Sequence, residues 1–412
     1  MKVFHGWRMA GAACGIQFLL SGLLSQSFGA YIALLAEERG WSKTSLSGAA
    51  ALQSVEAAII GPVLGWLMDR FGAQAMIRIG MLFFGVGFMA MSRIESLSGF
   101  YACAVLLALG SSLSGYFPLS VALIQWFERY RARALSIISL GLALGGLMVP
   151  VVAWSMQQFG WRTTALASGL IAIAVGLPLA GVIRRRPQDY GQTVDGLPPA
   201  VVAEGSADAQ RDTVEFSARE ALRTSAFWLL ALGHGFALLV VTAVNVHAIS
   251  HMKESLGYSV SQAAWVIMLM TVCQIAGVLA GTVIGDRFEK RRVAALCMLG
   301  HALGLLLLTY AQQAAEVVAF AVLHGFAWGL RGPFMQAIRA DYFGRNAIGM
   351  ILGLSAVIIA LGQVAGPMVA GILADLTGNY RTGFTVLALV ASGGSVMFLL
   401  AKPPPRPKRV TD

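Results

Sequence analysis

Twelve long apolar stretches divide this chain, and each holds few or no charged residues. A helix of about 20 apolar residues crosses the hydrocarbon core of a bilayer, so each stretch is long enough to form one membrane span. Only 12% of the 412 residues are charged, whereas a soluble domain carries about 25%. The pattern predicts an all-α membrane protein with twelve spans, at 9–36, 45–67, 75–92, 99–126, 134–156, 163–183, 226–250, 260–284, 293–311, 316–338, 347–374 and 382–401.

Seven residues recur 217 positions apart, and the most specific match is Asp-Arg-Phe at residues 69–71 and again at 286–288. The repeat indicates two homologous six-helix halves, and a membrane protein of this kind often binds its substrate between them. We therefore expect an N-terminal half at 1–183, a cytoplasmic linker at 184–224, a C-terminal half at 225–402 and a tail at 403–412. The other repeated residues are Gly40, Ser42, Gly145 and Pro150, matched by Gly257, Ser259, Gly362 and Pro367.

The net charge of +10 is explained by membrane topology and not by binding to nucleic acid. With the N-terminus inside, 23 of the 30 Lys and Arg residues fall on the cytoplasmic side and six on the other side. By the positive-inside rule, both termini are predicted to be cytoplasmic, in the inner or plasma membrane. The linker ends in Ser217-Ala-Arg-Glu220, a capping-box pattern that predicts a short helix before the seventh span.

The stretch Gly65-Trp-Leu-Met-Asp69-Arg70-Phe71-Gly72 follows the second span, and Gly285-Asp286-Arg287-Phe288 follows the eighth. These motifs resemble the loop signature of the major facilitator superfamily, and the resemblance covers essentially the whole chain. It implies a twelve-helix fold and a secondary transporter. Nothing in the sequence favours a dimer, so we expect a monomer. In that family the signature loops form charge pairs that latch the cytoplasmic side. The resemblance therefore implies a gating role for Asp69, Arg70, Asp286, Arg287 and Arg345.

A narrower resemblance rests on Gly40-Trp41-Ser42, Trp126-Phe127-Glu-Arg129, Arg-Pro-Gln-Asp-Tyr-Gly at 186–191 and Asp341-Tyr-Phe-Gly-Arg345. These stretches are similar to the branch that holds oxalate/formate antiporters and monocarboxylate transporters. The resemblance implies a small organic anion as substrate. Members of that branch carry their cationic anchors on helices 8 and 11, where this chain has none.

Arg331 is the only full cation deep in a predicted span, in Trp328-Gly-Leu-Arg-Gly-Pro333. Burying a lone Arg at that depth costs about 2.5–3.5 kcal/mol, so we expect it to face a cavity or a partner. A guanidinium can hold one carboxylate with two parallel hydrogen bonds. A single cation favours a monocarboxylate over a dianion. The alternative is an Arg that binds carbonyls freed by Pro333. The repeat places Ser114 opposite Arg331, and in this superfamily helices 1, 4, 7 and 10 line the cavity.

Glu56 is the only carboxylate deep in a predicted span. A low dielectric favours the protonated form of such a group, so Glu56 is the predicted proton-coupling residue. The alternatives are a protonated Glu bonded to a neighbouring helix, and an ion pair with Arg331. The remaining predicted substrate contacts are polar residues on the expected lining helices, namely Gln26, Tyr31, Tyr116, Asn245, His247 and His324.

The sequence therefore predicts a secondary active transporter that moves a small organic acid with protons across a lipid bilayer by alternating access. One alternative is a multidrug or amphiphile exporter of the same fold, in which Glu56 would contact a cationic substrate. Another is an anion exchanger, and a third is a sensor that kept the fold. No phosphate-binding loop, metal-ligand spacing or nucleophile–base pair is present in the sequence, so we expect no enzyme activity, cofactor or metal.

Overall fold

The computed structural model describes residues 4–41, 56, 59–196, 215–258 and 260–405, and the regular secondary structure in these ranges is all helical. Described helices lie in all twelve predicted spans, of which the second is described only at 56 and 59–67, and the fold is all-α as predicted. Ser42 and Ser259 of the repeat lie outside the described residues, as do most of 42–58, linker residues 197–214 and the tail from 406. The chain divides into two compact units, Met1–Thr213 with Ile348–Gly353, and Val214–Ala347 with Leu354–Asp412.

Breaks interrupt several helices of the first unit. The first span contains a π-helical turn at Ser21–Ser25, the fourth breaks at Gly115, and the sixth contains a π-helical turn at Ala172–Gly176. Gly160, with a φ of 78°, separates the fifth span from the sixth. The helices are α1 (His5–Leu20), α2 (Phe28–Arg39), α3 (59–71), α4 (Ala73–Met91), α5 (Leu97–Ser114), α6 (Tyr116–Trp126), α7 (Arg131–Gly145), α8 (Val149–Ile171) and α9 (Leu177–Val182).

The second unit has longer and more continuous helices. They are α10 (Ala218–Leu222), α11 (Ser225–Leu256), α12 (Val260–Ile284), α13 (Lys290–Thr309), α14 (Ala314–Phe343), α15 (Ile348–Thr377) and α16 (Arg381–Leu400). The capping box of Ser217 and Glu220 is present at the start of α10, which confirms the predicted short helix. The side chain of Thr224 caps α11, which ends at Gly257 in the left-handed conformation that favours glycine.

The sequence prediction placed the end of the tenth span too early. It ended that span at residue 338, whereas α14 continues to Phe343. The apolar run stops at Arg339, and a charge usually marks the edge of the membrane. In the structure, however, Arg339 lies inside α14 and is 1% exposed. A second buried cation is therefore present on this helix.

Three glycines let α12 and α14 pack backbone to backbone. Gly325 and Gly329 of α14 face the carbonyls of Met270 and Gln274 on α12, and Gly277 of α12 faces the carbonyl of Phe326. A Cβ atom at any of these three positions would overlap the facing oxygen, so only glycine allows the observed approach. This contact fixes the position of the helix that carries Arg331.

The two described ends of the linker bind equivalent loops of the two units. In the first unit, the Asp195 carboxylate accepts hydrogen bonds from the backbone N–H groups of Glu128 (3.2 Å) and Arg129 (2.9 Å). In the second unit, Glu215 accepts them from Arg345 (3.0 Å) and Asn346 (2.9 Å). The donors are again 217 positions apart. The repeat therefore includes the loop that binds the linker in each unit.

Candidate functional site

Arg331 lies in the interior of α14 with no exposed surface. The Nε and Nη1 atoms of its guanidinium have no hydrogen-bond partner among the described residues. Pro333, two residues later, lacks an N–H group and so leaves one carbonyl of the preceding turn without its helical partner. A buried cation with free N–H groups is unfavourable by itself and provides strong donors for an anion.

A pair of histidines lies on the same part of α14. His324 and His301 of α13 are both fully buried, and their Nδ1 atoms are 3.2 Å apart. The helices come close there because Gly304 faces the backbone of His324, where an added Cβ would meet the amide nitrogen at 3.4 Å. The Nε2 atoms of both rings have no partner among the described residues. One imidazole must therefore donate its Nδ1–H to the other.

The charge of Arg331 interacts electrostatically with His301, His324, His234 of α11 and Cys297 of α13. We call these five residues the α14 cluster. His234 is 8% exposed and Cys297 is 5% exposed, so the whole cluster is buried inside the second unit. In such a low-dielectric environment, charges interact more strongly than in water.

Arg339 is a contrasting buried cation on the same helix. Its Nη1 donates to the carbonyl of Met335 at 2.8 Å, and its Nη2 donates to the carbonyl of Leu230 on α11 at 3.1 Å. Backbone oxygens therefore occupy both ends of this guanidinium, which ties α14 to α11. Arg339 has one nitrogen, Nε, without a partner among the described residues, whereas Arg331 has two, Nε and Nη1, and can hold a carboxylate with two parallel hydrogen bonds.

No carboxylate lies near Arg331 in the described part of the second unit. The acidic residue closest to it along α14 is Asp341, ten positions away, and it forms an ion pair with Lys290 at 3.0 Å. The other acidic residues of the described second unit lie at helix ends or in loops, at Glu215, Glu220, Glu254, Asp286, Glu289, Glu316 and Asp375. The α14 cluster thus carries a positive charge without a negative partner from its own unit.

In the first unit, Ser114 and Tyr116 flank the helix break at Gly115. The Ser114 hydroxyl is buried and donates to the carbonyl of Gly110 in its own helix at 2.6 Å. The Tyr116 hydroxyl lies 3.2 Å from the hydroxyl of Ser139, which also donates to the carbonyl of Leu135. Both predicted contacts therefore have a hydrogen-bond partner within the first unit.

Glu56 is half-buried in the first unit, and its immediate neighbours 51–55 and 57–58 lie outside the described residues. Ser112 of α5 donates to its Oε2 atom at 2.9 Å, while Oε1 has no partner among the described residues. Ser112 is two positions before Ser114. The structure therefore brings Glu56 close to the predicted cavity helix of its own unit.

The four other predicted substrate contacts are dispersed. Gln26 and Asn245 are exposed, whereas Tyr31 is fully buried and packs against Phe88 with ring centroids 6.0 Å apart. His247 is half-buried, and its Nε2 lies 3.0 Å from the carbonyl of Pro367. His247 is thus in reach of the carbonyl of a repeated proline.

Among the predicted gating residues, Asp69 has the most specific contacts. Its carboxylate accepts hydrogen bonds from the N–H groups of Gly349 (3.0 Å) and Met350 (2.9 Å), in the first turn of α15. Burial raises the pKa of the Asp69 carboxyl, and these two donors oppose that rise. The guanidinium of Arg70 lies over the ring of Trp66, 5.3 Å from its centroid. A carboxylate at this position also interacts favourably with the dipole of α15.

The remaining gating residues lie near the ends of helices in the second unit. Asp286 is half-buried and Arg287 is exposed, both in the turn after α12. Arg345 is half-buried, and its backbone N–H donates to Glu215. Each motif thus lies in its own unit, and the gating role of all five residues stays a prediction.

Sequence reasoning did not single out His301, His234 or Arg339. Nothing in the sequence favours His301 or His234 over the other histidines, because their importance depends on which helices cross near them. Arg339 ends an apolar run, so the sequence predicts it in a loop. His324 and Arg331 are seven positions apart, which places them on one face of a helix. This spacing is the sequence feature that links the two residues.

Comparison with known proteins agrees with this architecture. A family model described as Major Facilitator Superfamily matches residues 14–248 and 230–412. Among solved structures, the proton:xylose symporter XylE bound to 6-bromo-6-deoxy-D-glucose has a TM-score of 0.77 at 14% identity, and the match covers 96% of this chain and 95% of that one. At that identity, the structural similarity shows the fold alone.

Two relatives have more similar sequences. Monocarboxylate transporter 13 of Bos taurus is 24% identical over 404 residues, which cover 96% of this chain and 89% of the relative. Monocarboxylate transporter 11 of Mus musculus is 26% identical over 411 residues, which cover 96% and 87%. The similarity extends over nearly the full length of the chain.

Proposed function

Because this chain belongs to the major facilitator superfamily, we propose that it is a secondary active transporter that moves a small monocarboxylate together with protons. Its transporter relatives and fold neighbours are not enzymes. The names of the two relatives support a monocarboxylate as substrate. A superfamily member of two homologous halves works by alternating access, in which the halves move about a central site.

The observation that carries the substrate class is the buried guanidinium of Arg331, with free Nε and Nη1 atoms and no nearby carboxylate in the described part of its unit. A carboxylate can accept from both nitrogens at once, in a bidentate pair that is shorter and stronger than neutral hydrogen bonds. Since two carbonyls engage Nη1 and Nη2 of Arg339, Arg331 is the one cation of the described site with two free nitrogens for a ligand. One free cation matches one carboxylate.

Proton coupling is assigned in this proposal to Glu56 of the first unit. The carboxyl has one oxygen bonded to Ser112 and one without a partner among the described residues, so it has an atom that can take a proton. We further propose the organisation expected from the sequence. It has halves at 1–183 and 225–402, a linker at 184–224, cytoplasmic termini, a monomer in the cell membrane, and gating by the two Asp-Arg-Phe loops.

The test is uptake of labelled L-lactate, pyruvate and butyrate into proteoliposomes with an alkaline interior, with and without a protonophore. Accumulation that collapses with the protonophore supports proton-coupled transport. Arg331→Gln should then abolish saturable uptake, whereas Arg381→Gln, at the exposed start of α16, should retain it. Unchanged apparent affinity in Arg331→Gln would refute the anion-anchor role.

Two other outcomes would favour the alternatives. Exchange of labelled for unlabelled substrate without net accumulation would indicate an anion exchanger. Transport of apolar cations in a manner that depends on Glu56 would indicate an exporter. Both classes share the fold. The free guanidinium of Arg331 supports binding of a carboxylate and gives no reason to prefer either alternative to monocarboxylate transport.

A further inference from the structure

We propose that His301 and His324 form a second protonation site, whose occupancy is coupled to binding of a carboxylate at Arg331. The inference rests on the proposed function and adds to it a proton site in the unit that holds the anion. It follows from the geometry of the two rings and from the polar atoms that they leave free.

The contact between the two Nδ1 atoms limits how many protons the pair can hold. At 3.2 Å, one ring donates Nδ1–H and the other accepts. In the neutral pair, the donor ring has a bare Nε2, and the acceptor ring carries its proton on Nε2. Both Nε2 atoms lack partners among the described residues, so the pair leaves one buried acceptor and one buried donor.

The bare Nε2 can take one more proton. A proton from water forms a new N–H bond at this nitrogen, and the pair becomes a monocation. Its Nδ1–H···Nδ1 bond is then charge-assisted and stronger. A further proton would put N–H groups on both Nδ1 atoms, 3.2 Å apart, and would break the contact. The pair therefore takes up a single proton.

Arg331 links this proton to the anion. It follows His324 by seven residues of α14, which is two helical turns or about 10 Å of rise on the same face. At an effective dielectric constant of about 20, the repulsion between two positive unit charges at that distance weakens proton binding about tenfold. The empty Arg331 thus opposes protonation of the pair, and a carboxylate bound to Arg331 removes this opposition.

The helices packed against the pair offer no other charge that would replace the anion. The titratable and charged groups near it in the described structure are Cys297 on α13, Arg331 and Arg339 on α14, His234 on α11, and Cys273 on α12 near Gly325. The neighbouring helix α16 presents Ser395, which donates to the carbonyl of Ala295 at 2.9 Å. None of these groups is a carboxylate, so the negative charge must come with the ligand.

The experiment is isothermal titration calorimetry of the purified full-length protein with butyrate, L-lactate and benzoate, in two buffers of different ionisation enthalpy. The difference in heat gives the protons taken up per anion bound. His301→Gln and His324→Gln should still bind but take up fewer protons than the wild type, by up to about half a proton per anion, because a tenfold change in the proton binding constant shifts the occupancy of one site by no more than that. His251→Gln is the matched control, because His251 is equally buried and bonds to the carbonyl of Leu308 instead.

The outcomes separate this inference from the proposed function. Wild-type proton uptake in both His301→Gln and His324→Gln would overturn the inference alone. If the wild type binds none of the three anions, the proposed function fails and the inference fails with it. If neither variant folds, ¹⁵N spectra of histidine-labelled wild-type protein provide the test. Butyrate should weaken and shift the signal of one non-protonated ring nitrogen, and an unchanged spectrum would overturn the proposal.

Discussion

Replacing Arg331 by Met should stabilise the empty protein while it abolishes anion binding. Met has a similar length and no charge, so the variant removes a fully buried cation with two free N–H-bearing nitrogens. A lone Arg at the centre of a membrane helix costs about 2.5–3.5 kcal/mol. Replacing buried charges by packed apolar side chains is often stabilising by about 1–4 kcal/mol. We expect a gain of about 2 kcal/mol.

The same substitution at Arg339 should have the opposite effect and lower the free energy of unfolding. Arg339→Met would leave the carbonyls of Leu230 and Met335 without their guanidinium donors. Both carbonyls lie inside continuous helices and keep their helical N–H partners, so the loss is that of two hydrogen bonds from a charged donor, each worth about 1.5–3 kcal/mol. The two variants thus compare one chemical change on one helix in two environments.

The assay is thermal unfolding of purified protein in one detergent at pH 7, with and without butyrate. With an unfolding entropy of about 2 cal/mol/K per residue, a gain of 2 kcal/mol corresponds to a rise of roughly 2–5 °C, depending on whether one half or the whole chain unfolds. Arg331→Met should melt higher than wild type and no longer respond to butyrate. If it melts as low as Arg339→Met, Arg331 has a partner and the reasoning is wrong.

Three further predictions concern packing, coupling and the linker. Gly329→Ala should lower the melting temperature, because its Cβ would overlap the carbonyl of Gln274, whereas Gly332→Ala, with open space at its Cβ, should be neutral or stabilising by up to about 1 kcal/mol. Glu56→Gln should flatten the pH dependence of proteoliposome uptake while it leaves substrate exchange active, and an unchanged pH profile would remove Glu56 from the coupling mechanism. Asp195→Ala should destabilise the protein by about 1–2 kcal/mol in a thermal melt, because the carboxylate binds a row of backbone N–H groups as a helix cap does; equal melting temperatures would contradict this role.

The fold was largely predictable, since each span is an apolar run long enough to cross a bilayer. The end of the tenth span differs from the prediction because a polar residue is buried there. The run before Arg339 stops at a charge, but the helix continues because carbonyls of Met335 and Leu230 replace water around that guanidinium. Sequence hydropathy measures the cost of transfer from water and contains no information about partners on another helix.

The candidate site was predictable only in part. Arg331 stands out because a charge inside an apolar run has few explanations. His301 does not, since its role depends on the crossing of α13 and α14 at Gly304, a contact that no local pattern encodes. The sequence also could not show that Arg331 has N–H groups without partners. Arg331 and Arg339 are the same residue type on one helix and differ only in the carbonyls that they reach.

The repeat explains why the two units share contacts and differ in chemistry. The linker anchors Asp195 and Glu215 bind loops 217 positions apart, so the duplication preserved a structural contact. The same offset relates Arg331 to Ser114, whose hydroxyl is bonded within its own helix. A symmetric pair of arginines would bury two unpaired cations and would suit a dianion. Keeping this arginine in one half avoids a second buried guanidinium with two unpaired nitrogens and matches the site to an anion with one carboxylate.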